Sequence, residues 1–431
     1  MRELEINIEN ITRVEGHGNI VVTVREGNIV ELRLEITESP RFFEAMVVGR
    51  AWSEVQAICC RICGICSIAH SNAALRAVEG ALGITPSEQT ALLRRLIHYG
   101  EVLQSHLLHC YFLAAPDFCG APSIVPMIET HREVVERGLR LKRLANDICR
   151  AVGGRHVHPI TMAVNGFTKL PELEELRALR ERLEEARGDV QATVEFFAQA
   201  ELPQFAREDA KFLSLRAEGQ YALVEGEIAT SDGRRAPVES YQELVREYVV
   251  EHSTAKHAGL GSEDVPYAVG ALARVNINYD LLHPKAKQAA EALGVAPPCG
   301  NPFMNTRAQV VEVVHCVEEA IALLGELERR GLAAEETAVE VRGGRGVGAV
   351  EAPRGTLFYD VEVGDDGLVS RANLIIPTNQ NLHSIEADMR ALVPQILTRG
   401  EDEVAHTLEM LVRAYDPCIS CATHLVEVHF E

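Results

Sequence analysis

Apolar and polar positions change their period several times along the chain. Leu4, Ile6 and Ile8 alternate with polar residues, and Val22-Thr23-Val24 meets Ile29–Ile36 across Arg25-Glu26-Gly27-Asn28. Residues 3–37 therefore predict strands, two of them joined by a hairpin-type turn. Further on the period becomes helical. Thr85-Pro86-Ser87-Glu88 combines capping-box spacing with a proline at the first helical position. Leu92, Leu93, Leu96, Val102, Leu103, Leu107 and Leu108 continue that helix to Pro116. A second long helix is expected from about Val125 to Ala151, stopping at Gly153-Gly154. Glu172 to Gly188, dense in Glu, Arg and Leu, reads as an exposed amphipathic helix, and Thr306–Leu332 as another long one. Residues 210–275 are mixed, with short strand patterns such as Tyr221–Ile228.

The pattern changes again from Val339 to Pro377. Gly343-Gly344-Arg345-Gly346-Val347-Gly348 reads as a glycine-rich loop. It lacks the lysine and helical sequel of a phosphate-binding loop, so its expected use is close backbone packing. Strands are expected at Leu357–Val363 and Leu368–Ile376, around Gly364-Asp365-Asp366-Gly367. A last helix, about Asp388–Ile396 with a continuation from Glu401 to Arg413, follows. No internal repeat or low-complexity linker interrupts this order. The fold class is α+β: a helical core over about 85–200 and 306–332, with small antiparallel sheets at its periphery (3–37 and 339–376). One interwoven domain over 1–431 fits better than separable ones, because the most distinctive motifs lie at opposite ends.

Composition narrows the function. With 431 residues, 47% hydrophobic and 5% aromatic, the chain buries a sizeable core without staples. No apolar run approaches the ~18 residues of a membrane span. Met-Arg-Glu-Leu-Glu-Ile-Asn-Ile-Glu alternates charged and apolar residues and is no signal peptide, so the expected location is the cytoplasm. A net charge of -21 argues against nucleic acid or an anionic membrane as partner. Eleven cysteines in such a compartment are not expected to form disulfides. Cys110, Cys119, Cys149, Cys299 and Cys316 lie among apolar residues and read as small buried hydrophobes, and Cys59 and Cys60 as structural.

The other four cysteines carry chemistry. Cys63-Gly64-Ile65-Cys66 is followed by His70, and Cys418-Ile419-Ser420-Cys421 by His424. Both sulfurs of a Cys-x-x-Cys turn point to one side, so two such pairs form a four-sulfur site tying the start of the fold to its end. Structural zinc is the commonest occupant of two such pairs. It usually staples a small module, whereas this chain has ample core. Thiolates suit nickel, copper or iron equally, and nothing resembles a ferredoxin run of cysteines. Glu15, in Arg13-Val14-Glu15-Gly16-His17-Gly18, is either a turn residue or a buried acid. His106 and His109 read as satisfied imidazoles on a helix face, with Asp117 just past its end.

The residues carry a resemblance. Arg61-x-Cys63-Gly64-x-Cys66-x-x-x-His70 with Asp416-Pro417-Cys418-x-x-Cys421-x-x-His424 resembles the signature pair of the nickel–iron hydrogenase large subunit. The likeness extends through Arg13-Val14-Glu15-Gly16-His17, Arg155-x-x-His158-Pro159, Glu351-Ala352-Pro353-Arg354-Gly355 and Pro377-Thr378, in the family's order. It is most similar to the cytoplasmic, multi-subunit group, the deazaflavin-reducing, viologen-reducing and nicotinamide-linked enzymes.

That resemblance implies reversible heterolytic oxidation of dihydrogen at a nickel–iron centre whose iron carries carbon monoxide and cyanide. Cys63 and Cys418 match terminal thiolates of nickel, and Cys66 and Cys421 match the bridging ones. Cys418 or Arg354 is the candidate base; arginine is a poor base, so its role is to polarise and orient. Asp117 and Asp416 match carboxylates that hold Arg354, beside Pro353. Glu15 matches a proton-relaying glutamate, a task that suits a carboxylate brought towards neutrality by burial. Thr378 matches a hydroxyl on an iron-bound cyanide, and His70 a hydrogen-bond partner of a bridging sulfur. Glu44, His424 and a backbone carbonyl near Leu374 match ligands of a magnesium or iron ion near the C-terminus.

Electrons must then pass to a separate iron–sulfur small subunit, with further flavin or iron–sulfur subunits setting the acceptor. Nickel-insertion proteins and a maturation endopeptidase are also implied. Family precursors are cleaved after the histidine matching His424, so residues 425–431 read as a precursor tail. A dihydrogen sensor with the same metal site is the alternative reading. Sensors of the family lack such a tail.

Overall fold

The computed structural model describes residues 3–423. Strands β1 (Leu4–Ile8), β2 (Gly18–Arg25) and β3 (Asn28–Ile36) form an antiparallel sheet in that order. Its alternation buries Ile20, Val22, Val24, Leu34 and Ile36 on one face. Glu26 and Gly27 turn the β2–β3 hairpin with φ of 50° and 82°, the left-handed pair that matches strand twist in a two-residue connection.

Helix α1 (Ser67–Leu82) starts one residue after Cys66. Helix α2 (Glu88–Leu108) is capped by Ser87, whose Oγ accepts the Thr90 N–H at 3.0 Å. The chain does not leave the helical path at Pro116. A wide π-type turn over His109–Ala114 runs into a short helix, Ala115–Phe118. Pro116 sits in its first turn, where a missing N–H costs little. The second expected helix divides at His131 into Ile124–Thr130 and α3 (Arg132–Gly153). The amphipathic stretch is Leu173–Glu185, followed by a second helix, Arg187–Gln199.

The mixed region holds small hairpins, including β4 (Val245–Tyr248) paired with β5 (His257–Leu260), and then α4 (Ala271–Asn278). The long helix α5 (Asn305–Arg330) packs on α2 with both largely buried.

The expected glycine loop at 343–348 is instead the start of strand β6 (Gly344–Ala352), which pairs with β7 (Gly355–Val363), and β7 with β8 (Val369–Ile375). Close packing is nevertheless what the glycines do. A Cβ on Gly344, Gly346 or Gly348 would lie 2.4, 2.0 or 2.3 Å from the carbonyl oxygens of Ala81, Ala77 and Ala73. Every second residue of the strand thus meets every fourth residue of α1, backbone against backbone. The helix that follows the first cysteine pair is seated on the sheet that carries Arg354.

Helix α6 (Pro377–Ile396) begins well before the expected Asp388, and α7 (Glu401–Ala414) leads into the second cysteine motif. Among the described residues no helix is long and apolar enough to cross a membrane.

Candidate metal centre

Three short backbone segments bring the cysteines together. Cys63 lies in the turn before α1, and the Ile65 N–H donates to its Sγ at 3.2 Å, so the loop is wrapped around that sulfur. The second pair is placed by the N-terminal segment: Glu15 and Cys418 are bridged as parallel strands, with the Ile419 N–H donating to Glu15 O at 3.0 Å. Arg41 locks both halves, donating from Nη1 to Ile62 O at 2.6 Å and Ser420 O at 3.1 Å. Asp416, with φ of 49°, takes a left-handed conformation just before Pro417. That is a costly state for a residue with a Cβ, and its side chain is fixed on both oxygens.

All four sulfurs are buried. Sγ of Cys63 is 3.5 Å from that of Cys418, Cys66 is 3.6 Å from Cys421, and Cys418 is 2.8 Å from Cys421. No disulfide joins them, and they form one group able to grip a common ion. Hydrogen bonds from Cys418, Cys421 and Cys66 bring the Cys63 thiol well down, while burial pushes the Cys421 thiol well up. A cation between the four sulfurs would replace the thiol protons and offset the cost of their burial.

Arg354 stands beside the sulfurs. Its Nε donates to Asp416 O at 2.7 Å and to Oδ1 at 3.1 Å, and Nη2 donates to Oδ1 at 3.0 Å. Asp416 Oδ2 accepts from Gln309 Nε2 at 2.9 Å. Arg354 Nη1 is buried without a hydrogen-bond partner. Against burial, which would lower it, Asp416 and then the sulfurs hold the guanidinium well above its ordinary range. The group is therefore a fixed cation with one N–H face left for a ligand in the pocket.

The other expected residues fall as follows. Glu15 is half-buried, and its Oε2 accepts the Ser420 N–H at 3.1 Å. Thr378 Oγ1 accepts the Cys418 N–H at 2.9 Å, which leaves its own hydrogen to donate. His70 is buried, 3.8 Å from Cys421 Sγ through Nε2 and 2.7 Å from Tyr359 Oη through Nδ1. Burial holds it down to about 4, so it is a neutral imidazole. Pro353 offers its carbonyl to Arg274 Nη2 at 2.9 Å. Glu44 is buried, with Oε1 accepting the Leu374 N–H at 2.7 Å. His424 lies outside the described residues.

Asp117 corrects the expectation. It bonds Arg13 and Arg413, at 2.9 Å from Arg413 Nε, and not Arg354. Arg413 also donates to Thr12 O at 3.0 Å, so Asp117 anchors the segment that carries Glu15. His106 and His109 are held as expected, by Glu312 at 2.7 Å and by Gln309 and the Arg413 carbonyl at 2.5 and 2.8 Å.

Two features escaped sequence reasoning. Glu101, buried on α2, accepts the N–H groups of Ile68 and Ala69 at 2.5 and 2.7 Å, binding the first turn of α1 beside Cys66. Burial pushes its carboxyl well above the ordinary range. A glutamate inside the apolar run of α2 was the available signal. Arg274, fully buried on α4, donates to the carbonyls of Ala352 and Pro353 and so holds the turn that presents Arg354. Nothing in its local sequence marks it.

Comparison with known proteins agrees with this geometry. A family model described as nickel-dependent hydrogenase matches residues 41–136 and 262–424, and a second, described as HoxL-like, matches residues 5–39. The chain is 38% identical to the alpha chain of sulfhydrogenase 1 of Pyrococcus furiosus, over 99% of both chains. It is 28% identical to the beta chain of the NAD-reducing hydrogenase HoxS of Cupriavidus necator, over 97% of this chain and 94% of that one. The solved NAD+-reducing [NiFe]-hydrogenase in the H2-reduced state superposes with a TM-score of 0.87 at 31% identity, covering 98% of this chain and 100% of that chain.

Proposed function

The chain belongs to the nickel-dependent hydrogenase family and is a catalytic subunit, an oxidoreductase acting on dihydrogen, and from that premise we propose how its residues divide the work. The observation that carries the proposal is the buried set of four sulfurs with Arg354 fixed beside it. Cys63, Cys66, Cys418 and Cys421 would together hold the nickel–iron centre, Cys63 and Cys418 as the thiolates assigned to nickel and Cys66 and Cys421 as those shared with iron. Their chemistry fits, because soft thiolates hold both metals and are deprotonated by them. When bound, the centre, with carbon monoxide and cyanide on its iron, would supply heterolytic cleavage of dihydrogen and accept its electron pair, so that both hydrogens leave as protons.

The remaining steps belong to the protein. Cys418 takes a proton on its sulfur. Glu15, whose backbone is paired to Cys418 and whose carboxylate lies on the Ser420 N–H, relays that proton towards solvent. Arg354 polarises and orients through its free Nη1 edge, and Asp416 keeps it from turning away. Thr378 would donate its free hydroxyl hydrogen to a cyanide of that centre, and His70 acts as a neutral hydrogen-bond partner of the Cys421 sulfur. Glu44, the Leu374 carbonyl and His424 would hold a magnesium or iron ion near the C-terminal motif.

Electrons leave to an iron–sulfur small subunit. Phe42, Met46 and Val48, in the segment that follows Arg41, and Leu368, bridged to Ala51, are exposed apolar side chains, and they support docking on that side. Further subunits with flavin or iron–sulfur clusters carry the electrons onward. Nickel-insertion proteins and an endopeptidase complete maturation in the cytoplasm.

The test is exchange of D2 with solvent protons by the purified complex. Wild type should exchange, and Cys418→Ala should lose both exchange and nickel. Undiminished exchange in that variant would overturn the ligand assignment.

A further inference from the structure

A second cluster of ligand atoms lies along α6, beyond the first turn that holds Cys418. His252, in the loop after β4, His257, the first residue of β5, and Glu386, on α6, each offer a ligand atom, all within 4.8 Å of one another. His252 Nε2 meets Glu386 Oε1 at 2.8 Å, and the same oxygen accepts the Leu34 N–H of β3 at 2.9 Å. The rings of His252 and His257 are edge to face, 5.6 Å apart. His383, one turn before Glu386, is held by Tyr248 Oη at 2.8 Å and closes one side of the group.

A histidine–carboxylate hydrogen bond accounts for His252 and Glu386 but leaves His257 unexplained. That side chain is 2% exposed, and its Nε2 is buried with no hydrogen-bond partner. Leaving such a group unmet is unfavourable, because its desolvation is not repaid by any bond. A shared cation would remove the cost and use all three side chains.

We propose that His252, His257 and Glu386 hold one divalent ion of the zinc class, at a site separate from the four-sulfur pocket. Two neutral imidazoles and a carboxylate, with a fourth position for water, are a common nitrogen–oxygen donor set for such an ion. On binding, His252 loses its Nε2 proton and carries one on Nδ1 instead, so the ring stays neutral, and the His252–Glu386 hydrogen bond is replaced by a metal bond to each. The site joins three parts of the chain: the 252–257 loop, α6, and β3 through Leu34. Glu386 is eight residues along α6 from Thr378, about 12 Å on the helix rise. Asn379 adds a second link, donating to Lys256 O at 2.9 Å and Ala422 O at 3.1 Å. The ion would therefore fix the helix that positions the Cys418 N–H.

The experiment is a Zn(II) titration of the purified, chelator-dialysed complex, followed by zinc K-edge absorption on the loaded sample. The expected result is uptake of one zinc per chain with nitrogen and oxygen neighbours at about 2.0–2.1 Å and no sulfur. Nickel content should stay unchanged. His257→Ala should weaken uptake by about 100-fold or more. His252→Gln, at the more exposed edge, should do the same in a variant that folds. No uptake, uptake undiminished in both variants, or sulfur neighbours around the zinc would each overturn the proposal.

Discussion

Glu312→Gln tests whether the Arg354 turn is held from behind by a buried ionic network. Arg274 Nε and Nη2 each donate to Glu312 at 2.6 Å, and Nη1 donates to Glu351 at 3.1 Å. Glu312 also receives His106 at 2.7 Å and Tyr221 Oη at 2.6 Å. Arg274, Glu312 and Glu351 are all inaccessible to solvent. Against burial, which would raise it, Arg274 keeps the Glu312 carboxyl well below the usual range. The glutamine has the same size but no charge, so the guanidinium keeps Glu351 as its only carboxylate among these partners. Breaking a buried pair from one side costs about 3–5 kcal/mol, and the single 3.1 Å bond to Glu351 offsets only part of the charge left on Arg274. The assay is the urea midpoint of the purified protein, read by circular dichroism, with D2 exchange measured alongside. The midpoint should fall by that free energy divided by the denaturant slope, and exchange should fall too, since Arg274 also holds the Ala352 and Pro353 carbonyls. Glu136→Gln, in an exposed pair with Arg132, is the control and should leave the midpoint in place. A Glu312→Gln shift below about 1 kcal/mol, the range of ordinary substitutions, would refute the reasoning.

Three further outcomes are expected. Glu15→Gln should slow D2–solvent exchange by about 100-fold with nickel and iron content unchanged; normal rates would remove Glu15 from the relay. Arg354→Lys cannot reproduce the fork on Asp416 and should lower exchange more than nickel content; wild-type rates would deny the oriented edge a role. Burial pushes the Asp388 carboxyl up to about 6, in spite of Arg207. A folded value above the unfolded one favours the neutral form, so the stability linked to this group is full below about pH 4 and lost as pH rises through about 6. Asp388→Asn should remove that slope, gaining on wild type by about 3 kcal/mol between pH 4 and pH 7. Parallel urea midpoints across that range would contradict the assignment.

The cysteine pairs were legible because their geometry is local: three residues fix where both sulfurs point. Arg354, Asp416, Glu15 and Thr378 were legible only through the family likeness, since no spacing links them to the sulfurs. The partners of Asp117 were not legible at all, because Arg413 is 296 residues away and carboxylate pairing at that distance leaves no pattern. Glycines carry no side chain to show a period, so β6 looked like a loop although its packing use was foreseen. The start of α6 was missed for the opposite reason. Thr378-Asn379-Gln380-Asn381 is polar enough to read as a turn, yet all four are buried and bonded to the backbone or side chains around the site. Arg274 shows the same limit: a buried charge serving the backbone looks like a surface residue until the chain is folded.

The most direct test of the central claim is infrared spectroscopy with nickel and iron analysis on the complex purified from cells that mature it. The account predicts sharp bands of metal-bound carbon monoxide and cyanide and about one nickel per chain held by Cys63, Cys66, Cys418 and Cys421. A silent spectrum with zinc bound to those four sulfurs would contradict it.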